Sequence, residues 1–71
     1  MRKGKTQNER ILERLRTRPL TTYEAVADLH ILSVTKRISE LRLAGHEIET
    51  DYRTTDSGAR YGVYTLVREA I

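Results

Sequence analysis

Apolar residues recur along this chain at helical spacing up to Gly45 and at a spacing of two beyond it. Ile11, Leu12 and Leu15 share one side of a first helical segment. It opens at Thr6-Gln7-Asn8-Glu9, a capping box, and runs to about Thr17. Pro19 ends it. Arg18, preceding the proline, is pushed out of helical geometry, so Leu20 begins a short extended link. Thr21-Thr22-Tyr23-Glu24 supplies a second capping box, and Ala25, Val26 and Leu29 give a short second helix its buried side. His30-Ile31-Leu32 forms the turn. It lacks the glycine that many such turns contain, and its apolar residues are expected to be pinned by the core. Ser33 then caps a third helix. With Val34 set at zero and ~100° per residue, Ile38 falls near 40° and Leu41 near 340°, one narrow apolar stripe. Gly45 sits where a left-handed residue stops such a helix.

After Gly45, Ile48, Thr50 and Tyr52 alternate with Glu49 and Asp51, the pattern of a strand with one buried face. Thr54-Thr55-Asp56-Ser57-Gly58 is a loop by composition. Tyr61 to Val67 forms a second strand, rich in aromatic and branched residues, with Tyr64 and Leu66 on one face. Two strands joined by a polar, glycine-containing loop make a β-hairpin. The expected fold is α+β: a winged helix-turn-helix, three helices followed by a two-stranded β-hairpin wing. Its expected limits are a disordered basic arm at 1–5, the domain at 6–67 and a short tail at 68–71.

The polar side of the third helix carries the candidate chemistry. Thr35, Lys36, Arg37, Ser39 and Arg42 interleave short hydroxyls with cations, the equipment that reaches phosphates and base edges. Arg37, near 300° on a wheel of ~100° per residue, is placed either toward DNA or to pair with Glu40 or Glu24. Arg42, near 80° on the same ~100° spacing, borders the core and is placed to brace a phosphate. Glu40 has the wrong sign for phosphate; an intramolecular salt bridge is favoured over acceptance from a cytosine amine. Leu43, opposite the apolar stripe, either meets a thymine methyl, supports a partner or stands as a lone exposed leucine.

The third helix reads Ser33-x-x-x-Arg37-Ile38-Ser39-Glu40-Leu41-Arg42-x-x-Gly45-x-x-Ile48, and the last strand Arg60-Tyr61-Gly62-Val63-Tyr64-Thr65-Leu66. With these motifs the chain resembles small phage and bacterial winged helix-turn-helix DNA-binding proteins, over roughly residues 6 to 67. The resemblance implies a third helix in the major groove, with DNA contacts at Thr35, Lys36 and Ser39, and a wing that brings Arg53 and Arg60 near the backbone or minor groove. Ser33, Arg37 and Arg42 complete the expected DNA-binding set.

Composition narrows the classes further. The chain of 71 residues carries a net charge of +3 and has no cysteine, so disulfides and thiolate metal sites are excluded. A domain this small buries only ~60% of the surface its unfolded chain exposes, which leaves little stability for a strained catalytic pocket. The two histidines, His30 and His46, are too far apart for a metal cluster, and no cofactor is expected. No nucleophile, base and orienting group assemble, so a non-enzymatic role is expected. No apolar run approaches the ~20 residues that span a bilayer, and the basic start lacks the apolar run of a signal peptide. Residues 1 to 18 hold seven cations against two carboxylates; residues 19 to 71 hold six against eight. The basic excess therefore belongs to the N-terminal quarter, where Arg2, Lys3 and Lys5 form a candidate arm on DNA backbone. Glu47, Glu49 and Asp51 on the first hairpin strand run the other way and should repel DNA.

Double-stranded DNA is thus the expected partner, in the bacterial cytoplasm or nucleoid, for a transcriptional regulator or a phage recombination or excision accessory factor. A helix of this length reads few base pairs, so self-association as a dimer or on tandem sites, or another regulatory protein, is expected to add specificity. The competing expectation is a protein-interaction winged helix that uses the acidic hairpin strand.

Overall fold

A computed structural model describes residues 6–70. The expected arm of Arg2, Lys3 and Lys5 lies outside the described residues. The chain order is α1 (Gln7–Thr17), β1 (Leu20–Thr21), α2 (Thr22–Ala27), α3 (Val34–Leu43), β2 (Glu47–Thr54) and β3 (Arg60–Arg68).

Both capping boxes form. The Thr6 hydroxyl accepts the Glu9 amide at 3.1 Å while the Thr6 amide donates to Glu9 Oε1 at 2.8 Å. Thr21 and Glu24 repeat the exchange at 3.0 and 3.1 Å. Each box satisfies two amides that a helix start leaves without partners. Ser33 does occupy the cap position of α3, but its side chain makes no capping bond, a correction to the expected hydroxyl cap. At the other end of α3, His46 N–H donates to the Leu41 carbonyl and Gly45 N–H to the Arg42 carbonyl, a Schellman stop. Gly45 takes φ +106°, and an added Cβ would stand 3.1 Å from that of Ala70.

The turn between α2 and α3 solves its lack of glycine at His30, the one non-glycine residue with positive φ (58°) among the described residues. Ile31, next to it, is fully buried, so the core holds the turn.

The sheet has three antiparallel strands in the order β1-β3-β2. The expected hairpin is present, with β3 at the centre. Leu20 and Thr21, expected to be only a link, pair with Tyr64 and Val63 as the third strand. The Thr22 hydroxyl extends this edge, accepting the Gly62 amide and donating to the Gly62 carbonyl.

One apolar cluster joins Ile11 and Leu15 of α1, Leu20, Ala25, Ile31, the α3 stripe Val34, Ile38 and Leu41, and Ile48 and Tyr64 of the sheet. Burial of this set supplies most of the driving force for folding. Polar ties surround it. Arg14 of α1 reaches Glu24 at 3.1 Å and Asp28 at 3.4 Å, clamping α1 to α2. Glu40 Oε1 accepts from Asn8 and from Arg37, both at 3.0 Å, tying α3 to α1. Arg16 and Glu69 form a bidentate pair, and Ala70 N–H donates to His46 Nδ1 at 3.0 Å. Those last bonds fasten the chain beyond β3 to α1 and to the α3–β2 turn.

Candidate nucleic-acid interface

The α3 stripe turns Val34, Ile38 and Leu41 inward, so the helix must present its other side to solvent. On that side lie Thr35, Lys36, Ser39 and Leu43, all exposed, with Ser33 exposed at the helix start. Leu43 is 88% exposed and belongs to the same outward line as Lys36 and Ser39. The Thr35 hydroxyl lies 3.4 Å from that of Tyr64, which seats the first turn of α3 against β3.

Two of the expected DNA-contacting cations are engaged within the molecule. Arg37 pairs with Glu40 rather than Glu24, and its side chain is largely covered. Arg42 bends onto the wing: its guanidinium donates twice to the Ile48 carbonyl, at 3.0 and 2.7 Å, and once to the Thr50 hydroxyl at 2.7 Å. The bonded carbonyl lies at the register shift between Glu47 and Ile48. A long side chain next to the core can reach the neighbouring strand, and here it orients the hairpin relative to α3.

Strand alternation then sorts the wing. Ile48 is in the core and Thr50 meets Arg42, so the even-numbered side of β2 faces α3. Pairing from Ile48↔Leu66 to Thr54↔Arg60 contains no shift, so Tyr52 and Arg60 keep to this side. The odd-numbered Glu47, Glu49, Asp51 and Arg53 point the opposite way. Exposure on the inner side rises from 6% at Ile48 to 62% at Tyr52, because the hairpin outruns the core. The expectation of a buried face ending in Tyr52 is corrected accordingly.

Arg53 lies on the acidic side and meets Asp51 at 3.3 Å. Arg60 lies over the Tyr52 ring, its guanidinium carbon 5.2 Å from the centroid. The two arginines that bracket the wing loop in sequence are therefore separated in space by the plane of the sheet. Tyr23 and Tyr61 pair at 5.4 Å where α2 meets the wing.

Among the described residues no group of three or more His, Asp or Glu is arranged to hold a metal, and no helix is long and apolar enough to cross a membrane. A depression on α1, lined by Glu9, Leu12, Glu13 and Arg16, shares no residue with α3 or the wing.

Three helices, a turn between the second and third, and a sheet-borne hairpin define a winged helix-turn-helix domain. Residues 6–69 match the winged helix-turn-helix domain family, and the chain belongs to it. No curated protein and no solved structure gives a significant match.

Proposed function

We propose that this domain binds double-stranded DNA, with α3 in the major groove and the wing against the backbone, as a small regulator of transcription or an accessory factor in phage recombination. The observation that carries this reading is the exposed line Ser33, Thr35, Lys36 and Ser39 on a helix tied to its neighbours. Glu40 ties α3 to α1, and Arg42 ties it to the wing. Hydroxyls and a free ammonium on a rigid helix suit phosphate oxygens and base edges.

The sidedness of the hairpin supports the same reading. Glu47, Glu49 and Asp51 lie on the side of β2 away from α3, so they are out of contact with a phosphate chain approaching the helix, and salt weakens their repulsion. Arg60 is then the wing cation placed for DNA, whereas Arg53 belongs to the acidic side. Arg37 and Arg42 serve the frame that aims the helix. Arg2, Lys3 and Lys5 add sequence-independent attraction to the backbone. The mechanism is recognition without bond chemistry, at a site extended by self-association or by a second regulatory protein.

A second reading keeps its own observation. The three carboxylates of β2 alternate along an exposed edge strand, a surface suited to a basic protein partner. The two surfaces lie on opposite sides of the hairpin, so one does not preclude the other. Selection of bound duplexes from a random pool tests the DNA reading. It predicts enrichment of a common sequence by the parent, and a pool that stays random after selection would sink it.

A further inference from the structure

We infer that Tyr52 is a positioning residue: it holds the Arg60 guanidinium over its ring and so presents this cation, already ordered, on the side of the wing that α3 shares. The inference rests on the DNA-binding reading above and extends it to a residue that makes no core contribution.

Tyr52 is 62% exposed, beyond the end of the apolar cluster, so core packing does not account for an aromatic side chain here. Its partner across the ladder is Gly62, while Arg60 stands opposite Thr54. Arg60 thus reaches Tyr52 along the diagonal. The space that a Cβ at Gly62 would take is bordered by the Tyr64 ring and the Thr22 hydroxyl, 3.4–3.5 Å away. A guanidinium carbon 5.2 Å from the centroid falls within the ~6 Å range of cation–π attraction.

The Arg60 guanidinium lies over the ring without a hydrogen-bond or ion-pair partner among the described residues, so its N–H donors remain available. Those donors can meet a phosphate oxygen in a directed, bidentate way. Arg60 makes no ion pair among the described residues, in contrast to Arg53, which meets Asp51 on the other side of the sheet. A flexible side chain that is ordered before binding loses less entropy when it binds. Tyr52 therefore raises affinity through Arg60, and its own hydroxyl need not touch the duplex.

The test uses the full chain with Tyr52→Phe, Tyr52→Leu, Arg60→Ala and the double variant Tyr52→Leu/Arg60→Ala. Two readouts are taken: the chemical shift of the Arg60 side-chain methylene protons in the free protein, and affinity for a fluorescein-labelled mixed-sequence duplex across a salt series. Phenylalanine should preserve both the upfield ring-current shift and the affinity. Leucine should abolish the shift and weaken binding roughly two- to fivefold, the fold-change that matches an exposed cation–π contact. It should add nothing once Arg60 is alanine. Melting should be unchanged throughout.

Leucine binding like the parent while Arg60→Ala weakens would overturn the positioning role and leave the DNA reading standing. Phenylalanine weakening as much as leucine would also overturn it, because the hydroxyl would then be the contact. A parent that shows no salt-sensitive binding to the duplex, with Lys36→Ala equally silent, would overturn the DNA reading and this inference with it.

Discussion

Replacing Arg42 by alanine should release the wing from α3, and the size of the effect follows from three bonds. The guanidinium donates to the Ile48 carbonyl at 3.0 and 2.7 Å and to the Thr50 hydroxyl at 2.7 Å. A buried hydrogen bond to a charged group contributes about 1.5–3 kcal/mol. Arg42 is largely exposed and two of its bonds share one acceptor, so a total of about 1–2 kcal/mol is the appropriate scale. For a domain of this size that loss lowers the melting temperature by roughly 4–16 °C. Arg42→Lys should recover only part of it, since one ammonium cannot span both acceptors in the fork geometry of arginine.

The assay pairs thermal melting with DNA titration over a salt series. If Arg42 holds the frame, melting falls while the slope of log affinity against log salt changes little. If Arg42 instead contacts a phosphate, melting stays at the parent value and the slope flattens by ~0.9. That second pattern would refute the argument that its guanidinium belongs to the wing.

Four further outcomes follow from the structure. Ile38→Ala truncates a side chain 1% exposed within the core; calorimetry should show a loss of about 2–5 kcal/mol, and DNA binding should fall only with the folded fraction. Gly45→Ala imposes a Cβ at φ +106° and 3.1 Å from Ala70; urea unfolding should show destabilisation, and a neutral result would contradict the left-handed stop. The hydrogen bond from Arg16, chiefly, holds the Glu69 carboxyl below its ordinary pKa. Its stabilising contribution is therefore complete above the ordinary carboxylate range and is lost as pH falls through the lowered value. Stability from urea unfolding should fall in that acid window, and Glu69→Gln should shrink that fall; a fall of the same size in the variant would assign it to another group. Neutralising Glu47 and Glu49 to glutamine should leave duplex affinity equal or slightly higher, measured by titration, whereas a drop would place the acidic side of β2 against the DNA.

The parts of the fold that sequence reveals are those set by local rules. Thr6 with Glu9 and Thr21 with Glu24 announce their helices because both capping partners lie within one turn. The Val34, Ile38 and Leu41 stripe and the Gly45 stop are equally local. Longer-range features were hidden for physical reasons. A two-residue strand at Leu20–Thr21 exists only because Val63 and Tyr64 lie beside it. His30 adopts a left-handed conformation in a turn held by the burial of Ile31; histidine takes that conformation more readily than most residues, but the packing that selects it is not local. Alternation correctly placed Tyr52 on the inner side of β2, but it could not show where the core ends along that side. Wheel angles placed Arg42 beside the core without showing that its reach would take it to Ile48. The two wing arginines look equivalent in sequence, and only the unshifted register between β2 and β3 puts them on opposite sides.

The most direct test of the central claim is titration of the double variant Lys36→Ala/Ser39→Ala against the duplex selected by the parent. Both side chains are exposed, so melting should match the parent. Each base-edge contact removed should cost roughly 1–3 kcal/mol, bringing the preferred duplex close to a shuffled control. Unchanged preference for the selected duplex, in a variant that melts like the parent, would contradict the assignment of α3 as the reading element.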